Sequence, residues 1–233
     1  MLSKIKDTML ELVSVIYPDN CLGCNRTLKR QENVLCLRCE NDLLPTNHAV
    51  EQYNNVYRQL CVRVPINNAL SGFYFQKNNP LQAVIHALKY DNRTDAGVYL
   101  GRIIGSQLAT TLWINSIKAI VPMPLHPKKE HRRGYNQAAH IAKGISEVVG
   151  VAVQNNMVKR SVDNPSQTTQ SRHERWENVE GIFEITDKLV AGTHLLLVDD
   201  VITTGATIEA CAMTITASGC EVSVATAATA LMD

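Results

Sequence analysis

The chain has almost no net charge and no long apolar run. Among its 233 residues, 23 Lys and Arg stand against 22 Asp and Glu, a formal charge of +1. That balance removes any global electrostatic case for nucleic acid or an anionic membrane surface. No segment reaches membrane-span length, and Asp7 and Glu11 break the N-terminal stretch that a secretion signal would keep apolar. The expectation is a cytoplasmic protein with no membrane insertion. Cysteine is also sparse, since seven in a chain of this length do not make a disulfide scaffold. The composition, 45% hydrophobic and 19% charged, is ordinary for a globular protein. The length leaves room for one substantial domain and a small appendage.

Four of the cysteines are spaced for a metal. Cys21 and Cys24 form one Cys-x-x-Cys knuckle, Cys36 and Cys39 another, with eleven residues between them. Two such pairs suit a tetrahedral four-cysteine zinc site, and four thiolates leave no open position, so the role reads as structural. Gly23 permits the tight turn inside the first knuckle. Residues 2–17 carry apolar side chains at helical spacing, stopped by Pro18. Residues 40–44 read as a short helix and 47–56 as a polar linker. The chain thus divides into a zinc-binding, double zinc-ribbon-like module over residues 1–50 and a larger domain over residues 51–233. Within the module Asp19, Glu32 and Glu40 partly match Arg26, Lys29, Arg30 and Arg38, and no aromatic lies between Asp19 and Asp42 to stack bases. A protein partner therefore ranks ahead of DNA for it.

The larger part alternates strands and helices. Residues 61–64 and 69–75 read as paired strands, with Cys61 as a buried apolar residue. Residues 81–90 and 94–112 read as helices, the second carrying Gly97, Gly101 and Gly105 in a row that permits close packing. His86 receives no role. A strand at 117–121 enters a proline-rich segment, then the basic loop Lys128, Lys129, Arg132, Arg133 and Gly134, before a helix from Gln137 to Val149. A loop between a strand end and a helix start lines the ligand crevice of an open α/β sheet. Residues 161–177 are polar, long and expected to be functional. Strand-like patterns return at 178–185 and 221–225. The alternation predicts an α/β fold with a mainly parallel sheet flanked by helices.

The most informative stretch is residues 195–207, LLLVDDVITTGAT. A short apolar run of buried-strand length ends in Asp199 and Asp200, and Val201, Ile202, Thr203, Thr204, Gly205, Ala206 and Thr207 follow as a turn. A helix is expected over residues 208–217. A strand, turn and helix start is an anion site, because the first N–H groups and the helix dipole both favour negative charge. Gly205 lets a backbone approach closely, and three threonine hydroxyls add donors. Two carboxylates beside a phosphate suit a sugar phosphate, because they accept hydrogen bonds from ribose hydroxyls.

This stretch resembles the motif of type I phosphoribosyltransferases that binds 5-phosphoribosyl-1-pyrophosphate (PRPP). Together with IVPMPLHPKKEHRRGYNQ over residues 120–137, QTTQSRHERWENV over residues 167–179 and the paired cysteine knuckles, it makes nearly the whole chain similar to the ComF family of competence proteins and its gluconate-utilisation-linked relatives. The resemblance implies a phosphoribosyltransferase-like core with a small N-terminal zinc module, and a part in DNA uptake. It implies that Asp199 and Asp200 hold the ribose 2′- and 3′-hydroxyls, that residues 203–207 wrap the 5′-phosphate and that Val201 and Ile202 also belong to the PRPP site. Lys129, Arg133 and Gly134 fall at the pyrophosphate, with Gln167, Arg175 and Asn178 in a catalytic loop and Lys89 in a Leu-Lys-Tyr pattern. Asp199, Asp200, Lys129, Arg133 and Arg175 would carry catalysis. The implied cofactors are Mg2+, bound with PRPP, and structural Zn2+. Thr203 stands where purine-salvage hypoxanthine enzymes carry an aspartate, which argues against that acceptor. Leu2 offers no cysteine nucleophile, so glutamine-dependent transfer is not expected, whereas ammonia-dependent transfer stays open. Two readings follow: a phosphoribosyltransferase of unknown acceptor, or a non-catalytic PRPP sensor or DNA-uptake adaptor that binds single-stranded DNA or a competence helicase.

Overall fold

The strand His194–Ile202 lies inside a four-stranded sheet and sets the layout of everything near it. A computed structural model describes residues 19–161, 182–186 and 190–230. In chain order its elements are α1 (Leu37–Asn41), α2 (Asn55–Cys61), β1 (Ala69–Phe75), α3 (Pro80–Tyr90), α4 (Thr94–Leu108), β2 (Ala119–Pro122), α5 (Pro127–Arg133), α6 (Gln137–Val149), β3 (Val158–Arg160), β4 (Phe183–Ile185), β5 (His194–Ile202), α7 (Ala206–Ala217) and β6 (Glu221–Ala230). The main sheet has the order β1-β6-β5-β2, and every pairing in it is parallel. β3 and β4 form a separate antiparallel pair. The expected mainly parallel sheet flanked by helices is therefore present. Among the described residues no helix is long and apolar enough to cross a membrane.

Period-two alternation along β5 divides the core into two layers. Leu196 and Val198 pack with α3, α4 and α6, whereas Leu195 and Leu197 pack with α2 and α7. Val153 bridges Ile120 in parallel on the outer side of β2. The chain therefore leaves β2 outward through α6, and leaves β5 in the opposite direction through α7 to β6. The gap between β2 and β5 is the switch point where open parallel sheets bind ligands. The cysteine knuckles join the first layer. Cys21, Val34, Leu35, Cys36 and Cys39 share one apolar cluster with Leu81, Leu100 and Leu70.

Several expectations are corrected. Residues 61–64 are not a strand paired to β1, because β1 pairs with β6. Val56, Leu60 and Val64 are all buried at spacing four, which makes this a helical face. Asn54 caps it by accepting the Tyr57 N–H, and also donates to the Ala69 carbonyl at 2.7 Å. The polar stretch read as a linker thus carries a buried cap, and Cys61 is exposed rather than buried. The short helix read at 40–44 lies earlier, at Leu37–Asn41. Helix α4 stops at Leu108, four residues before the expected end. There the Thr110 and Thr111 hydroxyls turn back onto the Gln107 and Leu108 carbonyls, leaving Leu112 exposed. The basic loop is a helix, α5, with Pro127 in its first turn and Gly134 ending it at φ 82°. β5 runs through the acids to Ile202, α7 begins at Ala206, and β6 extends to Ala230. The helix read at 2–17 lies outside the described residues.

The glycine row of α4 packs as expected. A Cβ on Gly97 would stand 2.7 Å from the His140 Cβ, and one on Gly105 would stand 2.9 Å from the Val148 Cβ. A Cβ on Gly101 would run into the Ile141 carbonyl, and one on Gly144 into the Val98 carbonyl. The two helices thus touch backbone to backbone, holding α6 against β2 and β5. Replacing Gly101 with Ala should lower unfolding stability by about 2–3 kcal/mol, the upper part of the overpacking range. Denaturant unfolding checks this, and an unchanged midpoint contradicts the close contact.

Candidate functional site

The turn after β5 is held from outside the alternating β/α units. Gly205 sits at φ 77° and caps α7. A side chain there would meet Leu60 at 3.0 Å, so the position is closed to one both by conformation and by space. Gln59 Nε2 donates to the Thr203 carbonyl at 2.7 Å. Arg63 pairs with Glu209 at 3.2 Å in the first turn of α7. Helix α2 therefore clasps the turn while Thr203, Thr204, Ala206 and Thr207 stay exposed. Ile202 is buried, so it offers the turn only its backbone, and Val201 is half-buried.

The acidic pair lies within the strand, so its two side chains face opposite layers. Asp200 turns toward α3, where Lys89 Nζ meets its Oδ2 at 2.8 Å with both side chains largely buried. Its Oδ1 accepts the Val201 N–H at 2.6 Å. Asp199 turns toward α7 and accepts the Asp200 N–H at 2.8 Å. Burial, then the neighbouring Asp200, pushes the Asp199 carboxyl up to about 7, against the pull of Lys89 and Arg160. Burial and the Asp199 charge likewise push the Cys211 thiol up. Arg160, at the end of β3, lies over the Phe183 ring at 5.6 Å.

A second cationic side chain approaches from α5. Arg133 stacks over Tyr90 at 5.7 Å, next in sequence to Lys89, and its Nη1 donates to Gln137 Oε1 at 2.7 Å. Asn136 caps α6 and donates to the Met123 carbonyl at 3.0 Å, and the Met123 N–H donates to the Val198 carbonyl at 2.7 Å. Of the residues singled out from sequence, Lys89, Asp199, Asp200 and 201–207 converge at the C-terminal ends of the strands, and Arg133 reaches the adjoining Tyr90. Lys129 lies half-buried on α5 and Gly134 caps that helix, but no ion pair joins Lys129 to the acids among the described residues. Gln167, Arg175 and Asn178 lie outside the described residues. The sequence reading missed Gln59, Arg160 and Gln137. Only for Gln59 was a signal available, in the helical spacing of its neighbours Val56 and Leu60.

The four cysteine sulfurs all lie within 4.8 Å of one another. Cys24 Sγ and Cys36 Sγ stand 3.7 Å apart. Zinc–sulfur bonds of about 2.3 Å in a tetrahedron place sulfurs roughly 3.8 Å apart, so the cluster fits this metal. The Cys36 N–H donates to Cys21 Sγ at 3.3 Å, a contact that orients a thiolate. The Cys39 backbone N–H draws the Cys36 thiol down to about 7, while burial pushes Cys39 up. The carboxylate oxygens of Asp199 and Asp200 suit a hard cation such as Mg2+, which takes oxygen ligands.

No family model matches the chain. It is similar to competence protein F of Haemophilus influenzae, 26% identical over 202 residues that cover 81% of this chain and 87% of that protein. It is 28% identical to the DNA utilization protein YhgH of Escherichia coli over 202 residues, covering 85% of each. The competence protein ComFC of Bacillus subtilis is 24% identical over 228 residues, 88% of this chain and 81% of that one. Among solved structures, an adenine phosphoribosyltransferase from Saccharomyces cerevisiae covers 72% of this chain and 86% of its own at 14% identity, with a TM-score of 0.34, too loose a likeness to assign anything. Sequence similarity of this extent to competence protein F, ComFC and YhgH supports the resemblance to the ComF family.

Proposed function

We propose that the chain binds PRPP with Mg2+ at the C-terminal end of β5 and transfers its phosphoribosyl group to an acceptor, releasing pyrophosphate. One observation carries the reading. Two adjacent carboxylates lie near the C-terminal end of a central parallel strand at the sheet's switch point, two strand residues before an exposed hydroxyl turn at a helix N-terminus. In this reading the residue 203–207 turn and α7 hold the 5′-phosphate, and Asp199 and Asp200 accept from the ribose hydroxyls. Lys89, Lys129, Arg133 and Gly134 face the pyrophosphate, and the family resemblance adds Gln167, Arg175 and Asn178 to the residues that serve PRPP. The Mg2+ that accompanies PRPP neutralises charge on the departing pyrophosphate. The chain's own work is to orient the ribose, hold the leaving group with fixed cations and exclude water as the bond from ribose C1 to pyrophosphate breaks.

We extend the reading to the pathway through the relatives, whose names refer to competence and DNA utilization. The chain then serves DNA uptake, and residues 1–50 form a zinc-held module that docks a protein partner such as a competence helicase. The alternative is a PRPP sensor without turnover. Pyrophosphate release on mixing with candidate acceptors separates the two, because a sensor binds PRPP and releases none.

Exchange of Asp200 for Asn removes a charge-assisted acceptor and should cost PRPP binding on the order of 1.5–3 kcal/mol in a calorimetric titration. Unchanged affinity contradicts the ribose assignment. Asp199 adds a pH signature. Its carboxyl is raised to about 7 in the folded protein, so the folded state holds that proton more tightly than the unfolded chain. Stability therefore falls as pH rises from the ordinary carboxylate range to about 7, and is level above it. Asp199→Asn should be more stable than the unmodified protein at about pH 8, with the difference closing toward about pH 4. A pH-independent difference contradicts the burial of this acid.

Elemental analysis should find one zinc per chain, lost in a Cys36→Ser variant. Chelation should lower the unfolding midpoint, since three of the four cysteines are buried in the α3–α4 core. Metal-free protein with four freely reactive thiols contradicts this.

A further inference from the structure

One peptide plane in the turn after β5 is fixed by a side chain from α2. Gln59 Nε2 donates to the Thr203 carbonyl at 2.7 Å and lies 3.4 Å from where a Gly205 Cβ would stand. The amide cannot be turned over, because Oε1 would then meet the carbonyl oxygen, acceptor against acceptor. This orientation leaves Gln59 Oε1 buried without a partner. Buried polar atoms are nearly always satisfied, so the contact at Thr203 is kept at a cost. Docking of the helix does not need it. Val56 and Leu60 are buried, Leu60 closes on Gly205, and Arg63 reaches Glu209 at 3.2 Å, all without Gln59.

The consequence falls on the other side of the peptide. No peptide bond among the described residues is cis, so the Thr203 C=O and the Thr204 N–H point in opposite directions. With the carbonyl held by α2, the Thr204 N–H points away from α2. Among the described residues no acceptor takes that N–H, and Thr203 and Thr204 are both exposed. The N–H groups of the exposed Ala206 and Thr207 follow at the start of α7, where Gly205 has no side chain to cap them. Turned over, the same peptide plane would set the Thr203 oxygen where the Thr204 N–H now stands, and would repel an anion there.

We propose that Gln59 is a positioning residue of this turn: by holding the Thr203 carbonyl toward α2, it aims the Thr204 N–H at a phosphoryl oxygen bound at the start of α7. The inference rests on the PRPP reading in one respect, that this phosphoryl group is the 5′-phosphate of a ribose. A neutral amide suits the task. A cation in its place would attract the anion itself, and a carboxylate would repel both the carbonyl and the anion.

The test follows the backbone amide signals of residues 203–207 by NMR while the full chain is titrated with inorganic phosphate. In the unmodified protein the Thr204, Ala206 and Thr207 amides should shift together. Gln59→Met keeps the side-chain length and lacks the donor. It should lose the Thr204 shift, keep those of Ala206 and Thr207, and bind phosphate about tenfold more weakly, the worth of one hydrogen bond. Gln59→Lys returns a donor to the Thr203 carbonyl and should restore the Thr204 shift. A Thr204 shift that is unchanged in the Met variant, or absent from both variants, overturns the inference. So does a Met variant in which all three shifts fade together as the thermal unfolding midpoint falls, because Gln59 then only braces the fold. Titration with ribose 5-phosphate separates this inference from the PRPP reading. If ribose 5-phosphate binds no more tightly than phosphate while Thr204 behaves as expected, the PRPP reading falls and this inference stands. If ribose 5-phosphate binds more tightly and Thr204 shifts equally in the Met variant, this inference alone falls. No amide shift in the unmodified protein with either ligand overturns both.

Discussion

Two carboxylates at the end of a strand buried between two others constrain the whole candidate site. β5 has a partner on each side and a helical layer on each face, so Asp199 and Asp200 cannot both turn toward water. The pleat sends one to each layer. Asp200 is stabilised by Lys89 from the end of α3. Asp199 lies beside Cys211 and the Arg160 charge, and holds its proton to about 7. The layer that brings Lys89 to the acids also brings Tyr90 to Arg133, so the placement of α3 sets both the acidic and the cationic parts of the crevice. The glycine contact between α4 and α6 holds the same layer from behind.

The turn that follows β5 depends on a helix outside the alternating pattern. Gln59 of α2 holds the Thr203 carbonyl, and Leu60 closes on Gly205. The N-terminal cysteine cluster plays a comparable part on the other face. Its buried cysteines and Leu35 complete the apolar layer that carries α3. A metal at those sulfurs would therefore support the packing behind Lys89 as well as the knuckles themselves.

Much of this was legible in the sequence where one physical signal dominated. The paired Cys-x-x-Cys knuckles, the apolar run of β5 with its two acids and the glycine row each have one reading, and the structure agrees with each. The failures share a cause. At 61–64, β-branched residues pointed to a strand, whereas α2 ends at Cys61 and the chain turns there to bury Val64 beside Val56 and Leu60. At 127–133, the density of charge hid the proline start and glycine stop of α5. Arg160 could not be found, because its role comes from a neighbour far away in sequence, Asp199. The layer toward which each acid faces was equally hidden. It depends on β5 continuing through Asp200 into register with β6, which the turn-like residues 201–207 do not announce.

The central claim is that the acidic pair and the hydroxyl turn together form a sugar-phosphate site. Its most direct test is calorimetric titration of the unmodified full chain with PRPP in the presence of Mg2+. The account predicts a single class of sites and weaker binding when ribose 5-phosphate replaces PRPP, since the pyrophosphate contacts are then lost. No binding of PRPP, at protein and ligand concentrations where ribose 5-phosphate is also silent, contradicts it.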